Sequence, residues 1–401
     1  MNQQARPSGP APTNPGMTPR GQRTPGPSFA RSEGNHGGTA ASIPFAAHAV
    51  RLSPRQWLLA AALVAAAAAG IPRCWERLEP LPEPVNNRLP YRLGNDYWTF
   101  ARYARQAADP SQTLLIGDSV VWGHYVGKDS TLSAHLNRLR GSGRYVNLGV
   151  DGIHPAAMAG LLRCYGRSLA GRRVILHCNL LWMSSPRHDL TDDKEFAFNH
   201  PSLVPQFWPA ISCYKESLSG RLGHVVGRNV GFLGWAKHLQ IAYFDSRDLT
   251  SWMLEHPYDN PLRRLTLALP SPDDPPSPPP SQESWEAQRI PKANFRWVEL
   301  SESLQWRSFG EVLGLLQRRG NQVFVLVGPF NEHMLLERSL KAYAARKAFV
   351  RQWLAEAGIP HHVAEALPSE TYADASHPLD RGYALLAGRL LADAAFQRFD
   401  P

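Results

Sequence analysis

Ser119 lies in the stretch 114–123, LLIGDSVVWG, immediately after a short apolar run that ends in glycine. A serine hydroxyl is a weak nucleophile and attacks a carbonyl carbon only when an adjacent base removes its proton. Such a base stands far along the chain, in Asp374-Ala375-Ser376-His377-Pro378. There His377 can take the proton, while Asp374, three residues earlier, can fix the ring tautomer and stabilise the imidazolium. Taken singly, each piece has a plainer reading: Ser119 as a helix cap, and 374–378 as a solvated turn. Together they would carry out acyl transfer.

Two more pieces bear on that chemistry. In Asn147-Leu148-Gly149-Val150-Asp151-Gly152, Gly152 can present a bare backbone N–H to an oxygen that becomes negative during reaction. Asn179 closes the apolar run 174–179 (VILHCN), where its side-chain amide can donate to the same oxygen. Asp151, His154, Asn331 and His333 sit nearby, and for them a loop role explains the sequence as well as contact with substrate does.

All of these residues follow short apolar runs at 113–117, 145–149, 174–179, 323–328 and 359–363. Between and after the runs lie helical patterns at 155–169, 304–319, 334–357 and 381–396. Apolar strands alternating with helices predict an α/β fold with a parallel sheet covered on both faces. Active groups placed at strand ends then share one edge, where α/β folds bind ligands.

In this arrangement the chain resembles the GDSL/SGNH hydrolase family. Its first block looks like Gly117-Asp118-Ser119, its second-block glycine is better matched by Gly152 than by Gly149, and its third-block asparagine looks like Asn179. Its fifth block looks like Asp374-x-x-His377-Pro378. The third block departs from the family's Gly-x-Asn-Asp, reading His177-Cys178-Asn179-Leu180, and Val120 stands where many members have Leu. The resemblance spans about 113–395 and implies a three-layer flavodoxin-like sheet of the SGNH hydrolase fold. It implies Ser119, Asp374 and His377 as the triad, Gly152 and Asn179 as oxyanion donors, and no cofactor. The implied reaction is cleavage of O-linked acyl esters, acetyl among them, on a small molecule or carbohydrate through an acyl-enzyme. A carbohydrate O-acyltransferase would use the same triad, and a catalytically silent carbohydrate-binding scaffold would not need it intact.

Residues 184–291 break the strand and helix rhythm with aromatics and the tract PSPDDPPSPPPS. They read as a helical insertion in a domain covering 109–401, placed either to lie over the ligand edge and govern substrate choice or simply to pack against the body. Upstream, 1–56 holds nine prolines and seven glycines and is expected to stay disordered. Residues 57–72 form an apolar run with arginines before and after, a membrane anchor or signal segment that would put the catalytic domain outside the cytoplasm. Residues 73–108 read as a proline-rich spacer.

The formal net charge of +9 does not indicate nucleic acid. Residues 1–56 hold six arginines and one acid, which leaves 37 basic and 33 acidic residues over the rest, with no basic stripe. The four cysteines lack metal-like spacing and His361-His362 lacks helical i, i+4 pairing, so no metal site is expected.

Overall fold

The computed structural model describes residues 52–81, 88–107, 109, 111–272, 283 and 285–401. The tail 1–51, the spacer prolines at 82 and 84, and the proline tract beyond Pro272 lie outside them. The chain divides into two units, Met1–Ala65 and Ala66–Pro401. The second holds the sheet.

Helix α1 (Pro54–Leu78) is 25 residues, longer than the apolar run that marks it in sequence. At 1.5 Å per residue it extends about 37 Å, and it is long and apolar enough to cross a membrane. Helix α2 (Tyr97–Gln106) follows, capped by Asp96, whose carboxylate accepts from the Thr99 N–H. Here the structure corrects the reading of 73–108 as a spacer. Leu89, Leu93, Phe100, Tyr103 and Ala104 are buried in the main core. The amphipathic face of a ten-residue helix was masked by the prolines before it.

The sheet-bearing part runs β1 (Thr113–Ile116), α3 (Ser119–Trp122), α4 (Leu132–Arg140), β2 (Tyr145–Asn147), α5 (Pro155–Cys164) and β3 (Arg173–Cys178). The insertion carries α6 (Pro186–Asp189), α7 (Leu218–Asn229), α8 (Gly231–Tyr243) and α9 (Leu249–Glu255). Then come α10 (Leu304–Arg318), β4 (Gln322–Val327), α11 (Glu337–Glu356), β5 (His361–Val363), α12 (Asp380–Ala392) and α13 (Ala394–Phe399). The five strands pair in parallel in the order β2-β1-β3-β4-β5.

Strand side chains alternate between two cores, as a period of two requires. Leu114, Ile116, Val174, Leu176, Val323 and Val325 face the larger core with α2, α5, α10 and α11. Leu115, Ile175, Phe324 and Leu326 face the other, with α4, α12 and α13. Both faces of the strands are therefore dry, which is why the runs read as continuously apolar. Truncating a fully buried Phe324 to Ala would cost about 3–5 kcal/mol. The strand ends that carry polar chemistry thus project from a rigid layer.

Candidate active site

β1 ends at Ile116, and the turn to α3 is tight. A Cβ on Gly117 would come within 2.4 Å of Val121 Cγ2 and 2.7 Å of His177 Cβ, so no larger residue fits there. The cap of α3 is Asp118, whose carboxylate accepts from the Val120 N–H at 3.0 Å. Ser119 is therefore not spent as a cap. Its Oγ lies 2.7 Å from His377 Nε2. On the far side of the ring, His377 Nδ1 lies 2.8 Å from each carboxylate oxygen of Asp374.

A short loop delivers both Asp374 and His377. Ala373 N–H donates to the His377 carbonyl, and the N–H groups of Ser376 and His377 donate to Asp374 Oδ1. Asn331 braces the loop from β4: its backbone N–H donates to the Ala375 carbonyl and its side chain to the Asp374 carbonyl. Asn331 is wholly buried, so it positions the loop and does not line the site. His333 likewise bonds the Leu367 carbonyl at 2.9 Å. Burial alone would raise the Asp374 pKa, but the His377 charge and these hydrogen bonds outweigh it and lower it to about 2. Burial pulls the His377 pKa down while Asp374 chiefly, with Asp118 and Asp151, lifts it above 6.5.

Asp118 is the hub beside the nucleophile. Its carboxylate accepts from Asn179 Nδ2 at 2.8 Å and Trp182 Nε1 at 2.9 Å, and lies 3.1 Å from His177 Nδ1. Burial opposes ionisation here, and these partners overcome it, lowering the pKa to about 2. His177 bridges Asp118 to the Gly328 carbonyl at 3.0 Å and so completes the hub.

The two expected oxyanion donors each follow a strand of the same sheet. Gly152 has φ +69°, a conformation that favours glycine, and a Cβ would meet Asn199 Nδ2 at 2.4 Å. Among the described residues the backbone N–H groups of Ser119 and Gly152 have no protein acceptor. The Gly149 N–H, by contrast, donates to Asn147 Oδ1. Asn179 uses one amide hydrogen on Asp118, and its Oδ1 accepts from the Leu181 N–H. One hydrogen of Nδ2 is left. No group of His, Cys, Asp or Glu among the described residues is arranged to hold a metal.

No family model matches the chain, and no curated protein matches it.

The site also contains residues that the sequence did not single out. The His124 ring stands 5.5 Å from that of His377, and its Nδ1 lies 2.6 Å from Asp151 Oδ1. The Tyr125 ring is also 5.5 Å from His377, and burial together with the Asp374 charge pushes its phenol up to about 12. Both lie just beyond the short helix that Ser119 opens, and that closeness in sequence to Ser119 is their signal. His154 is buried, caps α5 and reaches the Asn199 carbonyl, and burial depresses its pKa to about 3. It is a neutral structural residue.

The insertion reaches the site with one of its two parts. Asn199 covers Gly152, and His200 Nε2 lies 2.8 Å from the Asp151 carbonyl. Helices α7–α9 lie elsewhere: α8 packs on α2. The expectation that the whole insertion lies over the ligand edge is corrected accordingly.

Proposed function

We propose that the chain is a serine hydrolase of the GDSL/SGNH type that cleaves O-linked acyl esters. The observation that carries this reading is the unbroken relay of Ser119 Oγ, His377 and Asp374, at 2.7 and 2.8 Å. The strand order supports it, since doubly wound sheets of order 2-1-3-4-5 place their chemistry at the carboxyl ends of the strands.

In the reaction, Ser119 Oγ attacks the ester carbonyl as its proton passes to His377 Nε2. The carbonyl oxygen becomes an oxyanion facing the N–H groups of Ser119 and Gly152 and the remaining Asn179 amide hydrogen. Such donors act on charge that exists only in the transition state. Collapse expels the alcohol, which takes the proton from His377, and leaves an ester on Ser119. Water, deprotonated by the same His377, then releases the acid and restores the serine. Asp374 stays ionised throughout and holds the ring.

A second reading has an observation of its own. Ser119 is only 8% exposed, and a recessed acyl-enzyme can be passed to a sugar hydroxyl in place of water. Helix α1, with arginines before it, would hold the catalytic domain outside the cytoplasm by the positive-inside rule. The test is to incubate the protein with acetylated oligosaccharides, with and without an acceptor sugar, and read products by mass. Free acetate alone identifies an esterase, and acetylated acceptor identifies a transferase. Neither product from any ester offered, together with no serine-probe adduct, removes the hydrolase reading.

A further inference from the structure

The insertion's second part has a surface unlike the rest of the molecule. Outside α1, seventeen large apolar side chains are exposed among the described residues, and ten of them fall between Leu218 and Leu262. Leu218, Leu222 and Val226 recur every fourth residue, so they form one stripe along α7, a helix that buries none of its residues. Leu254 on α9 is 78% exposed and Tyr258 just beyond it 98%. Single exposed apolar residues need no explanation, but a run of them on neighbouring helices marks a surface that something covers.

Charge and attachment identify what covers it. On α7 and α8, from Leu218 through Tyr243, there is no carboxylate and the formal charges are Arg221, Arg228 and Lys237, whereas around α9 the acids Asp245, Asp248, Glu255 and Asp259 balance Arg247, Arg263 and Arg264. Two copies of the chain meeting face to face here would set like charges together, whereas anionic headgroups would meet them favourably. Helix α8 is fixed to the last turn of α1. Trp75 packs edge-on against Trp235 and Tyr243 of α8, with ring centroids 5.9 and 6.2 Å apart. Just past α1, Glu79 is held by His238 and Tyr243 of α8 and by Arg102 of α2. The helix that packs on α7 therefore also holds the end of the helix that is long and apolar enough to cross a membrane.

We infer that α7–α9 form a platform lying in the lipid–water interface, with their apolar side chains in the acyl boundary and Arg228 and Lys237 of α7 and α8 at anionic headgroups. An amphipathic helix with an apolar face and cations at its edge takes up this position. The inference does not depend on the serine-hydrolase reading.

The test uses the full chain, reconstituted into vesicles of phosphatidylcholine and phosphatidylglycerol. Cys74 and Cys164 are replaced by Ser, since the other two cysteines are buried. Single cysteines are then introduced by Leu222→Cys, Leu254→Cys, Leu63→Cys in α1 and Leu139→Cys on α4, and labelled with a polarity-sensitive fluorophore. Brominated lipid should quench the probes at 222 and 254 several-fold more than the one at 139, at depths shallower than the one at 63. Exchanging phosphatidylglycerol for phosphatidylcholine should weaken quenching at 222 but not at 63. Quenching of 222 and 254 by aqueous iodide alone overturns the platform. So does shielding from both quenchers, which points to a protein partner, and so does failure of bromolipid to reach the probe at 63.

Discussion

Two histidine clusters in this protein use the same residue types to opposite ends. At the strand edge, His377 has Asp374 on Nδ1 and Ser119 on Nε2, so Nε2 is free to accept the serine proton while the acid holds the ring. Beneath α8, His238 has both Asp96 and Thr99 on Nδ1, at 2.6 and 3.0 Å, and Glu79 on Nε2 at 3.0 Å. The second cluster also has hydroxyl, imidazole and carboxylate, yet acids face both nitrogens and every member is sealed from solvent. Burial would strip the charge from His238, but hydrogen bonds to Asp96 and Glu79 outweigh it and raise its pKa to about 9. Glu79, pushed up by burial and drawn down more strongly by His238, Tyr243 and Arg102, falls to about 2. The one cluster sets an acid on one side of the ring and a hydroxyl on the other, while the second locks α2, α8 and the chain after α1 together. Residue composition does not distinguish them; the placement of the acid around the ring does.

The largest effect expected from breaking this contrast is at Ser119. Ser119→Ala should lower kcat for an activated ester on the order of 10⁶-fold while leaving thermal unfolding unchanged, because the smaller side chain fits. Steady-state kinetics and a melting curve on the same preparation check both halves.

His238→Ala should do the reverse. It leaves Glu79 and Asp96 as buried charges with a partner removed, and breaking such a pair costs about 3–5 kcal/mol. Chemical denaturation should show that loss, with kcat per folded molecule close to wild type. A fall in kcat without a change in stability would mean that the two clusters communicate.

A smaller effect tests the oxyanion site. Asn179→Ala should cut kcat by about 10²–10³-fold with little change in KM, since one donor acts on the transition state alone. Because Asn179 also holds Asp118, the variant should melt at a lower temperature as well. Normal kcat would leave the backbone donors of Ser119 and Gly152 as the whole oxyanion site.

The smallest effects are in pH. A raised folded pKa contributes stability that is complete below the unfolded value and lost as pH rises through the folded one. The melting temperature of wild type should therefore exceed that of His238→Gln most at pH 6, with the gap closing between pH 6.5 and about 9. At the strand edge the base must be neutral to work. The acid limb of kcat/KM should therefore show an apparent pKa above 6.5, since Asp374 lifts that of His377.

The two clusters also differ in how far the sequence reveals them. Ser119, Asn179 and Asp374–His377 each follow an apolar run or sit in a compact motif, so strand ends on one sheet could be expected to gather them. The lock has no such signature, for Glu79 and His238 lie 159 positions apart and neither belongs to a local pattern. For the same reason α2 was read as spacer, and the helical insertion as one body when its parts pack in different places. His124 and Asn199 gained meaning only when the turn after α3 and the segment before Leu203 were seen to meet over Asp151 and Gly152. Alternating burial on both faces of the strands was legible because it leaves a continuous apolar run, and pairing order was not, because register depends on crossovers that the runs do not encode.

The measurement that bears most directly on the central claim is covalent labelling with a fluorophosphonate, mapped by mass to the modified residue. A single adduct is expected on Ser119, abolished by His377→Ala and by denaturation, and still formed in the folded fraction of His238→Ala. An adduct on another residue, or labelling of Ser119 that survives loss of His377 undiminished, would contradict it.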